Sequence, residues 1–144
     1  MQEINSMKKV IVLQFLFVSL STYAQIEVPS SITTAFIKKF PDAMHVKWGK
    51  ENAKEYEANF KMNGINMSAN YDISGSWKET ETEISVKDLP EAASKSIKTK
   101  YPNAIISGAG KIERADGKIV YEADIKWNGK KKEVELFADG KFVK

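Results

Sequence analysis

Val28-Pro29-Ser30-Ser31-Ile32, which runs on to Phe40-Pro41-Asp42-Ala43, is the stretch that decides the fold, because the chain contains it twice. The second copy begins at Leu89-Pro90-Glu91-Ala92-Ala93 and ends at Tyr101-Pro102-Asn103-Ala104, 61 positions later. Both copies contain a proline, an apolar pattern at helical spacing and a second proline, in that order. The sequence therefore predicts that one structural unit occurs twice.

The match continues beyond this stretch at a shift of 65 positions. Tyr56-Glu57-Ala58 returns as Tyr121-Glu122-Ala123, and Asn63-Gly64 returns as Asn128-Gly129. No low-complexity linker separates the two copies. We therefore expect one domain over residues 25–144, built from repeats at residues 28–84 and 89–144.

Each copy opens with a predicted helix. Pro29 suits the first helical position, where its missing N–H group costs nothing. Ile32, Phe36 and Phe40 recur at helical spacing and form one apolar stripe. Pro41 ends the helix, because the residue before a proline disfavours helical backbone angles. So short a helix is marginal in isolation and needs a surface to lie on.

Alternating apolar and polar residues after each helix predict the strands that supply this surface. Asn63-Gly64 and Asn128-Gly129 are type I′ hairpin signals, since that turn needs positive φ at both positions. Four strands are predicted in each unit, the last beginning at Trp77 in the first and covering Lys141–Val143 in the second. The strand that begins at Trp77 is polar on both sides, as expected of a sheet edge or of a connector between units. The predicted fold class is α+β, with about eight antiparallel strands in one sheet and both helices on one face.

The first residues are predicted to form a signal peptide. Lys8-Lys9 precedes an apolar run over residues 10–20, and small residues lead up to Ala24. The run is shorter than the roughly 20 apolar residues that span a bilayer. We expect residues 1–24 to be removed, with Met7 as the better start, and the remaining chain to be periplasmic or secreted without stable membrane insertion. With no cysteine, we expect neither a disulfide nor a lipid anchor.

The charge of the remaining chain is nearly balanced. Residues 25–144 carry 20 basic and 18 acidic side chains. A nucleic-acid-binding domain of this size shows a clustered basic face instead. The sequence therefore argues against a nucleic-acid partner.

At this point the motifs resemble a known family. The pattern Pro-x-x-Ile-x-x-x-Phe-x-x-x-Phe-Pro-Asp-Ala, with Tyr-Glu-Ala and Tyr-Asp-x-x-Gly-x-Trp, is similar to the exported PepSY-like, β-lactamase-inhibitor-like family. The resemblance implies tandem helix-plus-four-strand units like those of the β-lactamase inhibitor protein, in secreted or periplasmic proteins of Gram-negative bacteria. It implies no catalytic residue. The inhibitor protein is disulfide-bonded, and this chain departs from it in having no cysteine.

The register of the second hairpin predicts an unusual outer face. A two-residue turn at Asn128-Gly129 places Glu122 opposite Glu135 and Asp124 opposite Glu133, away from the aromatic face. Like charges directly opposite one another destabilise a sheet. Further along, Val120 is predicted to face Phe137, and Lys126 to face Lys131.

Two interpretations of this face remain open. In one, it is a solvated surface whose repulsion is screened, so that neutralising Glu135 and Asp124 together raises the melting temperature. In the other, it binds a partner, with Phe137 as anchor and the acids facing basic side chains or a cation. The candidate partner-binding residues are Val120, Glu122, Asp124, Glu133, Glu135 and Phe137. A calcium site built from strand-borne acids is a further alternative, but no loop motif supplies the usual oxygen cage, so no metal site and no cofactor are predicted.

Catalytic groups are scarce in this sequence. His45 is the only histidine, and its phase places it on the solvent side of a strand. Gly108 and Gly110 form a GxG motif that no helix follows, which indicates a strand bulge rather than a phosphate loop. No catalytic residue is therefore predicted.

We expect a non-enzymatic exported module that recognises a protein through the open face of its sheet. The alternative is a small-ligand carrier or sensor with a pocket between helices and sheet, lined by Phe36, Phe60, Ile97 and Trp127.

Overall fold

The helices and strands follow the predicted order. The computed structural model describes residues 26–143, so the predicted signal peptide lies outside the described residues. The first half contains α1 (Ser30–Lys39), β1 (Met44–Lys50), β2 (Glu55–Met62), β3 (Ile65–Asp72) and β4 (Trp77–Glu83). The second half contains a short 3-10 turn (Val86–Asp88), α2 (Glu91–Lys100), β5 (Ile105–Arg114), β6 (Ile119–Trp127) and β7 (Lys130–Leu136).

The strands form one antiparallel sheet of seven strands, in the order in which they occur along the chain. The prediction of eight strands is wrong for the last one, because Lys141–Val143 contributes only an isolated bridge between Leu136 and Phe142. One further backbone bond, from Val143 N–H to the Glu135 carbonyl at 2.9 Å, ties this segment to β7. The side chain of Phe142 packs into the core near α2, against Tyr101.

The polar strand β4 lies at the centre of the sheet. It pairs with β3 on one side and β5 on the other, so it connects the two halves and is not an edge. Thr80 and Glu81 are both buried there. A charged strand in the middle of a sheet indicates that one of its faces has a role other than core packing.

Each helix has its own core cluster. Ile32 and Phe36 of α1 pack with Phe60 and Tyr71, whereas Ile97 of α2 packs in a separate cluster. Following the register from β2 to β7 places the strand residues of both clusters on the same face of the sheet. Both helices therefore lie on that face, and the opposite face carries the other set of alternating side chains.

The helix ends match in the two halves. Pro29 and Pro90 each stand immediately before the first helical residue, one position earlier than predicted. At the other end, the N–H groups of Phe40 and Tyr101 each donate a 2.8 Å bond back into the helix. The following proline then prevents any continuation.

The outer strand β1 departs from its predicted pattern. Because the sequence places His45 on the solvent side of this strand, its neighbours Met44 and Val46 are predicted to face the core, but Met44 is 61% exposed and Val46 is also exposed. The register to β2 shifts between Met44 and Lys47, and His45 has φ of +56°. This bulge turns the start of β1 away from the core, so that only Trp48 packs against the first cluster.

Candidate binding face

The face of the sheet opposite the helices carries a concentration of carboxylates. We call it the acidic face. The predicted register of the second hairpin is confirmed, with Glu122 opposite Glu135, Asp124 opposite Glu133 and Lys126 opposite Lys131. The acidic face is defined by seven residues on four strands: Glu57, Glu79, Glu81, Glu122, Asp124, Glu133 and Glu135.

Three of these acids come from the first half and were not predicted as site residues. In the strand register, Asn70 lies opposite both Glu57 on β2 and Glu79 on β4, and Glu79 lies opposite Arg114 on β5. Glu81 lies next along β4 on the same face, opposite Ile112. The alternation of glutamates at 79, 81 and 83 was a visible signal in the sequence. It became informative only once β4 was known to be central.

Arg114 holds two of the acids. Its Nε lies 3.1 Å from Glu79 Oε2, and one terminal nitrogen donates to both carboxylate oxygens of Glu135 at 3.0 and 2.9 Å. Glu135 therefore has a positive partner, although its ladder partner Glu122 is acidic. Neutralising Glu135 removes this pairing, so the expectation that such a change stabilises the protein no longer holds for Glu135.

Val120 is not available to a partner. It lies on the acidic face as predicted, but it is fully buried. Strands β5 and β7 are two strand spacings apart, about 10 Å, so the Arg114 side chain must cross β6 to reach Glu135. The aliphatic part of Arg114 then covers the row of the sheet in which Ile112 and Val120 pair.

Phe137 remains accessible in part. It follows the end of β7 and is half-buried, outside both core clusters. The predicted pairing with Val120 does not extend the ladder, because the register ends at Tyr121 opposite Leu136. Instead, Phe137 N–H donates to the Lys141 carbonyl at 2.8 Å. The side chain thus stands at one border of the acidic face.

Two carboxyl groups in the middle of this face are buried. Glu81 is 7% exposed and Glu122 is 8% exposed. Burial, with repulsion from Glu57 and Asp124, raises the pKa of Glu81 to about 8. Burial, with repulsion from Glu81 and Glu133, raises the pKa of Glu122 to about 9. Both groups are therefore held in an environment that opposes their charge.

Glycines on β5 make room for these carboxyls. A Cβ atom at Gly110 would collide with the Glu81 carboxylate, and one at Gly108 would lie 2.5 Å from Asp124 Oδ2. The register shifts between Ile106 and Gly108, which confirms the predicted irregularity at this motif. Acids on β4 and β6 consequently lean over β5 from both sides.

Other acceptors on this face also lack donors. Among the residues that the structure describes, Glu57 Oε1 and Asn70 Oδ1 are buried without a hydrogen-bond partner. Asn59 donates to the other oxygen of Glu57 at 3.0 Å. Unsatisfied buried acceptors are rare in folded proteins, and each one costs stability. Two buried acceptors on this face, Glu57 Oε1 and Asn70 Oδ1, are therefore without a donor.

We predict that Arg114→Met destabilises the protein by roughly 1–3 kcal/mol, because two half-buried carboxylates lose their shared cation. Lys111→Met, on the same strand but the helix side, removes an exposed pair with Glu113 and should cost less than about 1 kcal/mol. Urea unfolding of both variants measures the difference. Equal losses would mean that Arg114 acts as an ordinary surface charge.

The alternative sites behave differently. His45 is exposed on β1, and its side chain makes no hydrogen bond or ion pair with the described residues. Phe36 and Phe60 pack edge-to-face at 5.1 Å in the first core cluster. Ile97 and Trp127 belong to the second cluster. The four residues predicted to line one carrier pocket therefore fill two separate cores.

Neither helix within residues 26–143 combines the length and the apolar content that crossing a membrane requires.

Comparison with known proteins supports the fold. A family profile described as "Putative beta-lactamase-inhibitor-like, PepSY-like" matches residues 54–144. No curated protein matches the chain at a significant level. A DUF2874 family protein from Bacteroides ovatus is 21% identical with a TM-score of 0.70, over 83% of this chain and 86% of that one.

Two further solved structures are similar. A BLIP-like protein from Bacteroides fragilis is 22% identical with a TM-score of 0.67, over 84% of this chain and 86% of that one. A structure described as "putative periplasmic proteins" from Bacteroides eggerthii is 17% identical with a TM-score of 0.70, over 82% of this chain and 87% of that one. At these identities the likeness establishes the fold and leaves the binding face to be interpreted from its own residues.

Proposed function

Because the chain belongs to the PepSY-like, β-lactamase-inhibitor-like family, we propose that it is an exported, non-enzymatic module that binds a protein partner through the acidic face. The observation that carries the proposal is the excess of acceptors there. Arg114 reaches only Glu79 and Glu135, the buried carboxyls of Glu81 and Glu122 have raised pKa values, and Glu57 Oε1 and Asn70 Oδ1 are buried without a hydrogen bond among the described residues.

The missing donors define the partner. Lysine and arginine side chains supply several N–H donors and positive charge together, and arginine pairs with carboxylates in a bidentate geometry. The proposed partner is therefore a protein with a basic patch. Phe137, half-buried at the border of the face, provides the apolar contact. Electrostatic attraction of this kind speeds association and weakens with added salt.

Export is part of the proposal. The basic and apolar start of the chain is typical of a secretory signal, and a similar structure is described as periplasmic. We propose a periplasmic or secreted location, with residues 25–144 as one domain of two tandem units. The second unit repeats the first with a shortened last strand.

A capture experiment tests this function. The purified protein is immobilised and exposed to periplasmic extract, alongside Phe137→Ala with Glu57→Gln and a control carrying Ile37→Ala with Glu113→Gln. The control removes the same kinds of side chain from exposed positions on the helix side. We expect a partner with a basic patch, recovered by wild type and control, to bind the face variant at least about tenfold more weakly as a purified pair.

Melting curves establish that both double variants are folded. Equal affinity of the recovered partner for wild type and the face variant would contradict the proposed surface. A partner without a basic patch, whose affinity is independent of salt, would contradict the proposed chemistry.

A further inference from the structure

Three carboxylates on the acidic face lie at the spacing of a single ion. Oxygen atoms of Glu122, Asp124 and Glu133 are all within 4.8 Å of one another. Ligand oxygens surround Ca²⁺ at about 2.3–2.6 Å, so two of them on opposite sides are about 5 Å apart. The three oxygens can therefore contact one such ion together, and they come from two neighbouring strands whose register fixes them.

A fourth carboxyl points at this cluster from another strand. Glu81 is nine-tenths buried, and its carboxylate makes no hydrogen bond or ion pair within residues 26–143. Its carboxylate lies over Gly110, and Gly110 is the ladder partner of Glu122. A buried carboxylate without a partner is costly. The Glu81 carboxylate lies beside other acids, although a hydrophobic neighbour or a cation there would make the folded state more stable.

The backbone under the cluster is shaped for it. Gly108 and Gly110 leave β5 without side chains on this face at the two positions over which Asp124 and Glu81 lie. Alanine at either position would place a carbon atom where a carboxylate oxygen now stands. The cluster is therefore bounded by β4, by the bare section of β5, and by β6 and β7.

We propose that Glu122, Asp124 and Glu133 form a binding site for one divalent cation of the calcium class, with the neighbouring Glu81 carboxylate moving in as a fourth ligand when the ion binds. Four carboxylates supply up to eight oxygens, and Ca²⁺ takes six to eight. The set contains no histidine or cysteine, the nitrogen and sulfur ligands that favour zinc and copper. From the sequence, calcium ligands on strands were only an alternative without a loop motif, and Glu81 was not among them, because its strand is joined to the others only through the register of β4 and β5.

This site goes beyond the proposed function and does not rest on it. Cation binding is a property of the isolated chain, and the variants used to test the protein partner leave all four ligands in place. Failure of either proposal is therefore visible separately.

Calorimetric titration tests the site. The purified protein, freed of metal with a chelator and dialysed, is titrated with CaCl₂, and its melting temperature is measured with and without the ion. We expect one equivalent to bind and the melting temperature to rise. Glu122→Gln and Asp124→Asn should each weaken binding at least about tenfold, since ligand charge sets affinity. Glu113→Gln, on the helix side of β5, should bind as wild type does.

Gly110→Ala provides an independent variant, because it keeps every carboxylate and only displaces Glu81. It should also weaken calcium binding at least about tenfold. Absence of binding by the wild type at millimolar CaCl₂ would overturn the proposal. Unchanged affinity in both Glu122→Gln and Asp124→Asn would overturn it as well, and binding of Mg²⁺ in preference to Ca²⁺ would overturn the assigned class.

Discussion

The metal-free protein is expected to lose stability steadily as the pH rises from 5 to 8. Most proteins are near maximal stability in this range. The cause is the pair of buried carboxyls on the acidic face, because burial raises the pKa of Glu81 to about 8 and that of Glu122 to about 9. Both start from about 4.5 in the unfolded chain.

The direction follows from proton counts. Between pH 4.5 and the raised values, the folded state holds protons that the unfolded state has already released. Stability then falls with rising pH, by about 1.4 kcal/mol per unit for each group. The stabilisation that the two protonated carboxyls contribute is fully present below their pKa in the unfolded chain, and it is lost once the pH passes their pKa in the folded protein. At that slope the two groups together give a total loss of up to roughly 8 kcal/mol between pH 5 and pH 8.

The surroundings of these two groups act in the same direction. Burial also raises the pKa of Glu57, of Glu79 and of Asp124. The charged groups that face Glu81 and Glu122 from β2, β4, β5, β6 and β7 are Glu57, Glu79, Arg114, Asp124, Glu133 and Glu135. Arg114 is the one cation among them, and it is held by Glu79 and Glu135.

Urea unfolding at fixed ionic strength with a chelator present, from pH 5 to pH 9, measures this dependence. Glu81→Gln with Glu122→Gln should flatten the pH profile and raise stability at pH 8. Glu113→Gln should retain the slope of the wild type. A wild-type stability that stays constant or increases from pH 5 to pH 8 would show that these carboxyls are not held as the structure places them.

A stabilising double substitution would have a functional meaning. Residues that lower the stability of the folded state are expected where binding depends on them. In the presence of CaCl₂ the order should reverse, because wild type gains stability from the ion and the double variant loses that gain. The same four carboxyls would then lower the stability of the metal-free protein and raise the stability of the calcium-bound protein.

How far the site could be predicted depended on how each strand pair is connected. Asn128-Gly129 fixes the register of β6 and β7 locally, so the acidic pairs followed from the turn alone. The pairing of β4 with β5 spans the whole of α2, and no turn rule governs it. Glu81 and Arg114 were missed for that reason. Their rows across the sheet exist only after the two halves have joined.

The central part of the fold was easier to predict from the sequence than its first and last strands. Helices and hairpins follow from local signals that occur twice, and the two cores follow from apolar spacing. The exposed start of β1 could not be predicted in this way. The bulge at His45 turns the hydrophobic side chain of Met44 towards solvent, although its position in the alternating pattern predicts that it faces the core. The eighth strand also failed, since an alternating pattern of three residues does not determine how many of them join a ladder.

Gly140→Ala is expected to destabilise the protein by roughly 2–5 kcal/mol. Gly140 has φ of +84°, which costs an alanine about 1–2 kcal/mol. A Cβ atom there would also lie 2.6 Å from the Ala92 carbonyl oxygen, in the first turn of α2. Backbone cannot move aside as a flexible side chain can, so α2 must shift from its core. Such overpacking adds about 1–3 kcal/mol.

Gly117→Ala is the matched control. It has a similar φ of +81°, but a Cβ atom there meets nothing within 4 Å. It should therefore cost only the backbone contribution of about 1–2 kcal/mol. Chemical denaturation of both variants separates the two contributions. Equal losses would show that the turn at Gly140 does not position α2.

Gly75→Ala should repeat the effect in the first half. Gly75 has φ of +87°, and its Cβ atom would lie 2.8 Å from the Ser31 carbonyl oxygen, at the position equivalent to Ala92. The same lysine contact recurs beside each turn, with Lys39 Nζ 3.8 Å from the Trp77 ring centroid and Lys100 Nζ 4.1 Å from that of Phe142.

Because the two turns hold different helices over different cores, the losses of stability should add in the double variant Gly75→Ala with Gly140→Ala. Domains of this size are stable by about 5–15 kcal/mol, so the doubly substituted chain should be largely unfolded by moderate heating. A double variant no less stable than either single one would mean that one helix docks correctly only after the other.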